Sequence, residues 1–303
     1  FTLEERFMNK PQLLNIAKKA YLTMFNTQAE VCDIQETFYG WIVFLVGSKG
    51  KIVVKFSKEV GRIAKEANAL KRLRTVADCA VPSIYFFGRD EGYDYLALEW
   101  IDGVSASELP KEHHAIKIFS ESYSDILVAL HEHHNDQGFE CNSESFTPDF
   151  INAFEQWTMP LHRFIQSGGS PFSGQEREQF GQLWEMRETL LDPIRHTKSS
   201  LIHDDCNLAN VLFDPKTYKA IALLDPCDMG FKHREMDLIH LNHYRSDVPI
   251  LDCYIEKSPL TENYLIRQEF FRLWDDAKHC RNTGWYSNNW FSSQLSHFSD
   301  LVR

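Results

Sequence analysis

Leu201-Ile202-His203-Asp204-Asp205-Cys206-Asn207-Leu208-Ala209-Asn210-Val211-Leu212-Phe213-Asp214, followed by Ala222-Leu223-Leu224-Asp225-Pro226, is the stretch on which the reading of this chain turns. Short apolar, β-like runs enclose a polar loop. Asp205 is followed five residues later by Asn210, and a second acid, Asp225, ends the next apolar run. Phosphoryl transfer needs one carboxylate to orient an attacking hydroxyl and accept its proton, while an Asn and a second carboxylate hold Mg²⁺ on nucleotide phosphates. A loop bounded by short strands fixes three such groups close together. Taken singly, Asp205 with Asn210 is a polar turn and Asp225-Pro226 an ordinary strand end.

Towards the N-terminus, Ile52-Val53-Val54-Lys55 reads as a strand ending in Lys, of the kind whose ammonium neutralises the α and β phosphates of a nucleotide. Glu66 lies on the following helix, where Val60, Ile63, Ala67, Leu70 and Leu73 recur at helical spacing, and it can pair with Lys55. That helix is expected to stop at Val81-Pro82. Before it, a helix over 13–25 leads into β structure, with strands 38–46 and 51–56 on either side of Gly47-Ser48-Lys49-Gly50. After it come strands 83–88 and 93–100, and a boundary near residue 103 separates this β-rich part, 1–102, from a mainly helical part, 103–303. Helices are predicted over 149–165, 174–194, 261–278 and 288–301, with another set by Ile116, Phe119, Tyr123, Ile126, Leu127 and Leu130.

The block 202–213, with Leu224-Asp225-Pro226 and Gly230-Phe231-Lys232-His233-Arg234-Glu235-Met236-Asp237-Leu238, resembles the aminoglycoside phosphotransferase superfamily, and within it the fructosamine kinase family. Val53-Val54-Lys55, Lys65-Glu66-Ala67 and Leu96-Ala97-Leu98-Glu99-Trp100-Ile101 match its N-terminal part in order. The resemblance implies a two-lobed, protein-kinase-like α+β fold with ATP between the lobes. It also implies Asp205 as catalytic base, Asn210 and Asp225 as Mg²⁺ ligands, Lys55 with Glu66 on the ATP phosphates, and the backbone of Glu99 and Ile101 on adenine. The acceptor it implies is a small amine-bearing molecule phosphorylated on a sugar hydroxyl, a fructosamine or ribulosamine, with an aminoglycoside- or choline-type acceptor as the alternative. Asp237 is expected to brace the catalytic loop.

Three positions depart from the family pattern. Asp204 stands where the family has Gly and Asn207 where it has Trp or His, and the segment over the phosphates, 30–44, contains only Gly40. Like charges side by side raise one pKa, so Asp204 is expected to face away from Asp205, towards backbone or solvent. A catalytically inactive kinase fold used for binding would lack the base or a metal ligand, and Asp205, Asn210 and Asp225 are all present. A metal-dependent phosphohydrolase built on His113, His114, His131, His133, His134, Asp136 and His203-Asp204 would need His203 and Asp204 on a helix, whereas β-like runs flank them. His131 and its neighbours read as a solvated helix C-terminus. A protein kinase would need a longer interval than that between Asp225 and Asp237 for its activation loop.

Composition excludes other classes. With 303 residues, 43% hydrophobic and 25% charged, the chain has the apolar surface for real cores. A net charge of −11 argues against a nucleic-acid backbone footprint. Together with Asp228, Glu235 and Asp237 it predicts an acidic cleft that favours an amine. The acceptor pocket is expected among Phe154, Trp157, Trp285 and Trp290. Seven cysteines without a CxxC pair read as thiols in a reducing compartment. The longest apolar run, 41–46, is too short to span a bilayer and no leader opens the chain, so a cytoplasmic protein is expected, and a start at Phe1 implies a few residues missing upstream.

Overall fold

The computed structural model describes residues 10–57, 59–142, 145–226, 228–241 and 245–303. Helix α1 (Lys10–Phe25) buries Leu13, Ile16, Ala17 and Tyr21 against the apolar side of a sheet, touching Val43, Leu45, Ile52 and Val54. That sheet holds β1 (Ala29–Thr37), β2 (Gly40–Gly47), β3 (Gly50–Ser57), β4 (Ile84–Asp90) and β5 (Tyr93–Glu99), all antiparallel in the order β1-β2-β3-β5-β4. Helix α2 (Arg62–Val76) packs Ile63, Ala67, Leu70 and Leu73 into a core with Leu96 and Leu98.

Two sequence expectations shift here. The strand placed at 38–46 begins at Gly40, because Thr37 pairs with Gly40 and leaves Phe38 and Tyr39 as the two-residue turn of the β1–β2 hairpin. Gly40 is required by packing rather than by a phosphate, since a Cβ there would lie 1.8 Å from the Phe56 carbonyl oxygen. Helix α2 starts after Val60, which is exposed, and it ends at Val76 rather than at Val81-Pro82. The chain turns extended at Ala77 because Ala80 is drawn into a parallel bridge with Ala222, donating to the Ile221 carbonyl and accepting from the Leu223 N–H.

The remainder begins with β6 (Val104–Ser105), α3 (His113–His131), β7 (Phe139–Asn142) and β8 (Ser145–Thr147). Helices α4 (Phe150–Gln166) and α5 (Gly174–Leu191) follow, started by the Asp149 cap and by the Ser173/Glu176 capping box. Next come β9 (Ser200–Ile202), β10 (Val211–Phe213), β11 (Ala220–Leu223), β12 (Gly230–Lys232) and α6 (Glu235–Leu238), then α7 (Ile250–Lys257), α8 (Tyr264–Thr283) and α9 (Asn288–Leu301). The helices expected at 149–165, 174–194, 261–278 and 288–301 are thus present within a few residues, whereas α7 and the short β7, β8 and β12 carry no strong pattern of their own.

Strand β6 pairs with β10, so the chain leaving β5 enters the sheet of β10 and β11 within a few residues. Ile63, Leu70 and Leu98 share one apolar core with Phe119, Leu127 and Phe213, which fixes the first sheet against the helical part. No helix among the described residues is long and apolar enough to cross a membrane.

Candidate active site

Strand β3 carries Lys55 and helix α2 carries Glu66. Their side chains meet at 2.6 Å, and Lys55 Nζ also lies 2.7 Å from Asp225 Oδ1. Burial disfavours the Lys55 charge, but Asp225 and Glu66 more than reverse this and raise its pKa. Burial pushes the Glu66 carboxyl up to about 7, against the pull of Lys55. Asp225 follows the end of β11 in a left-handed conformation, φ 62°. The Leu224 N–H donates to the Asn210 carbonyl at 2.8 Å, which ties Asp225 to the catalytic loop.

In that loop the Asn210 side-chain amide donates to Asp205 Oδ2 and to the Asp205 carbonyl, both at 2.9 Å. Asn207 donates to Asp205 Oδ1 while its own carbonyl oxygen caps the turn Leu208–Asn210 by accepting from the Ala209 N–H. Burial raises the Asp205 pKa, with His240 and His203 pulling it the other way. At the end of β5, Glu99 gives its N–H to the Ser83 carbonyl, and its carboxylate accepts from the Ser83 N–H and hydroxyl. The Glu99 N–H is thus committed within the sheet. Lys55, Glu66, Asp205, Asn210 and Asp225, scattered over 171 positions of sequence, occupy one connected cluster.

The loop is held from behind by Asp237. Its two oxygens accept the N–H groups of His203 and Asp204, each at 2.7 Å, and its backbone carbonyl accepts from the Cys206 thiol. His131 is not the solvated helix end expected of it. It is buried, lying 3.0 Å from Asp237 Oδ2 and 2.8 Å from the Tyr254 hydroxyl, because α7 packs across the end of α3. Sequence reasoning also missed the buried pair of Arg267 with Glu235, two bonds of 2.7 Å. Burial opposes ionisation of Asp237, but His131 holds its pKa well below the carboxylate range. The stability it contributes is present above the unfolded value and lost as pH falls. Asp237→Asn, which sets a donor or a single acceptor against two backbone N–H groups, should cost about 3 kcal/mol. That corresponds to a drop in melting temperature of roughly 6–12 °C, measurable by thermal denaturation.

The Asp204 side chain, expected to face backbone or solvent, meets neither and is held by two lysines instead. It is buried, at φ 66°, a conformation that suits glycine and costs an aspartate about 1 kcal/mol. Its carboxylate sits 3.0 Å from Lys232 Nζ and 3.4 Å from Lys278 Nζ. These groups line a cavity of about 1020 Å³ that also contains Phe154, Trp157, Trp274 and Asp228. Of the four aromatics expected there, Trp285 and Trp290 do not line it. Trp285 lies beside His279 and Phe291, and Trp290 donates to Asp276. Nor is the cavity acidic, since among the described residues its walls carry six cationic side chains against five carboxylates.

Over the cleft, the tip of the β1–β2 hairpin reaches α8. Phe38 stacks edge-on against His279 at 4.9 Å, and Tyr39, whose phenol is influenced by Asn282 of the same helix, lies 3.2 Å under the Arg62 guanidinium. An aromatic tip takes the place of a glycine-rich turn.

Comparison with known proteins agrees with this architecture. The fructosamine-3-kinase, provisionally so named, of Haemophilus somnus 129PT superimposes with a TM-score of 0.71 over 95% of this chain and 97% of its own, at 15% identity. The aminoglycoside phosphotransferase APH(4)-Ia in a thermostable apo form gives 0.66 over 93% and 97% at 13% identity, and a microcompartment-associated aminopropanol kinase gives 0.62 over 94% of each chain at 17%. The YcbJ protein of Escherichia coli (strain K12) is 23% identical over 236 residues, 76% of this chain and 77% of that one. Those structural likenesses establish the two-lobed kinase-like fold. Residues 41–254, from β2 through the catalytic loop to α7, match the phosphotransferase enzyme family as a whole, and the chain belongs to that family of small-molecule phosphotransferases.

Proposed function

We propose that this protein transfers the γ-phosphoryl group of ATP to a sugar hydroxyl of a small amine-bearing acceptor, with a fructosamine or ribulosamine as the acceptor class. The observation that carries the reading is the meeting of Lys55 with Asp225 at 2.7 Å, beside a loop in which Asn210 holds Asp205. Residues 1–102 form the nucleotide lobe and 103–303 the acceptor lobe, and ATP lies between them. The Glu99 carbonyl and the Ile101 N–H take the adenine edge. Lys55, oriented by Glu66, takes the α and β phosphates.

Asn210 and Asp225 suit Mg²⁺. They offer oxygen donors, and an Asn210 amide whose nitrogen is committed to Asp205 turns its carbonyl oxygen the other way. Bound there, Mg²⁺ would neutralise charge on the β and γ phosphates. Asp205 orients the acceptor hydroxyl and takes its proton as the oxygen bonds to the γ phosphorus and the bond to the ADP oxygen breaks. The raised Asp205 pKa, caused by burial, makes it a better base than an exposed aspartate. The free thiols of Cys32, Cys79, Cys141, Cys206, Cys253 and Cys280 fit a cytoplasmic enzyme.

The test is an ATP-turnover screen of the purified protein against glycated amines, aminoglycosides, choline and thiamine. Phosphorylation of a fructosyl- or ribulosyl-amine, with weak or no turnover of kanamycin-type acceptors, is expected. Robust turnover of an aminoglycoside, choline or thiamine alone would replace the acceptor class and keep the reaction. No turnover of any acceptor and no MgATP binding would leave a kinase fold used for binding.

A further inference from the structure

The wall of the cavity beside Asp204 departs in charge from the rest of the chain. Acidic residues outnumber basic ones 43 to 32 over the whole sequence, yet cations hold the majority on this wall. Three of them are lysines from distant elements, Lys65 on α2, Lys232 on β12 and Lys278 on α8, and they converge on Asp204 and Asp228. Lys232 and Lys278 share a single oxygen, Asp204 Oδ2, at 3.0 and 3.4 Å. Asp228 takes Lys65 on one oxygen and has Lys278 at 3.9 Å from the other, while Lys232 donates to its backbone carbonyl at 3.2 Å. Burial opposes the charge of Asp228, and the three lysines together still hold its pKa well below the carboxylate range. Asp275, 2.8 Å from Lys278, completes a cluster of three lysines and three carboxylates, and over the described residues of the wall cations exceed carboxylates by one.

Asp204 adds the second observation. An aspartate persists in a left-handed conformation that suits glycine, directly before the proposed base, and its buried side chain contacts the two lysines of the cavity. Asp204 between the two ammonium groups fixes their positions; with Lys278 also on Asp275 at 2.8 Å and Lys232 on the Asp228 carbonyl, each keeps one of its three donors with which a further anion can bridge them.

We propose that the acceptor carries an anionic group, a carboxylate or a phosphate, in addition to the hydroxyl that is phosphorylated, and that Lys232 and Lys278 bind this group with Asp204 as their positioning residue. The proposal rests on the phosphotransferase reading, which makes this cavity the acceptor site. It adds a demand that the amine does not make: acceptors lacking an anion bind poorly. Trp157, whose ring centroid lies 5.4 Å from Lys232 Nζ, forms the apolar flank of the same subsite.

The test uses anions as probes of the whole chain, with the nucleotide site filled by MgAMP-PNP and, in parallel, without it. Inorganic phosphate and acetate are titrated at constant ionic strength, with tryptophan fluorescence as the readout. Saturable binding in the millimolar range is expected. Lys232→Met and Lys278→Met should each weaken it at least tenfold. Asp204→Asn, which tolerates the left-handed backbone but removes the charge that holds the two ammonium groups side by side, should weaken it several-fold. Should a single lysine variant fold poorly, Lys278→Met combined with Asp204→Asn keeps the wall balanced and should still lose binding. Tighter phosphate than acetate assigns a phosphate-bearing acceptor, and the reverse a carboxylate-bearing one. Absence of saturable binding of either anion, or equal affinity in the lysine variants, overturns the proposal. Anion binding without any MgAMP-PNP binding keeps the anion subsite and sinks the phosphotransferase reading instead.

Discussion

Asp205→Asn should lower kcat by about 10²–10⁴-fold, the loss typical of removing a positioned general base. The amide preserves the shape of the side chain and one acceptor oxygen for Asn210, which now holds the carboxylate at 2.9 Å, but it cannot take the hydroxyl proton. Nucleotide contacts are assigned to Lys55, Asn210 and Asp225, so MgATP affinity should be almost unchanged, and kcat rather than KM for ATP should carry the loss. Steady-state kinetics with any acceptor found in the screen checks this, and retained turnover would remove Asp205 from the chemistry. A pH dependence follows. The proton-accepting form exists only above the Asp205 pKa, and burial raises that pKa with His240 and His203 opposing. Wild-type kcat should therefore fall as pH is lowered, along a limb set above the ordinary aspartate value of about 3.9.

Asp225→Ala should abolish the Mg²⁺-dependent part of nucleotide binding. A ligand at a hundred times its Kd stabilises a protein by about 2.7 kcal/mol, so the melting shift that MgATP gives the wild type should vanish in the variant. Alanine at φ 62° brings its own strain, and Asp225→Asn, which tolerates that backbone, separates the two effects. Lys55 would then keep only Glu66 as a partner among its two carboxylates. An undiminished MgATP shift in both variants would contradict the assignment of Asp225 to the metal.

Much of this was legible because the chemistry is local. Asp205 and Asn210 are neighbours on one loop, Asp225 follows the next strand pair, and the apolar periodicity of α3 through α5 sets helices that tertiary packing leaves almost unmoved. Features that depend on partners far along the chain were hidden. Strand β1 is mostly exposed at a sheet edge, so Ala29–Thr37 shows no apolar alternation, and the aromatic Phe38 and Tyr39 read as strand where they form a turn. The end of α2 is decided by Ala80 pairing beside β11. His131 has the spacing of a solvated helix end and is buried by Tyr254, and Asp204 owes its environment to Lys232 and Lys278. Net charge misled for the same reason, since it averages over a surface while a cavity wall is assembled from a few side chains of distant elements.

The aromatic tip of the β1–β2 hairpin bears on the timing of the catalytic cycle. A glycine-rich turn closes over phosphates by ordering itself, whereas Phe38 and Tyr39 close by docking on His279 and Asn282 of α8. That helix also presents Lys278 to the acceptor cavity, so nucleotide cover and acceptor wall share one support. On the proposed reaction, exchange of ADP for ATP beneath this tip would work against an aromatic contact between the lobes, and an acceptor that shifts α8 would alter how firmly the cover is latched. Departure of product, rather than the transfer itself, is then the step on which this arrangement exerts its pull.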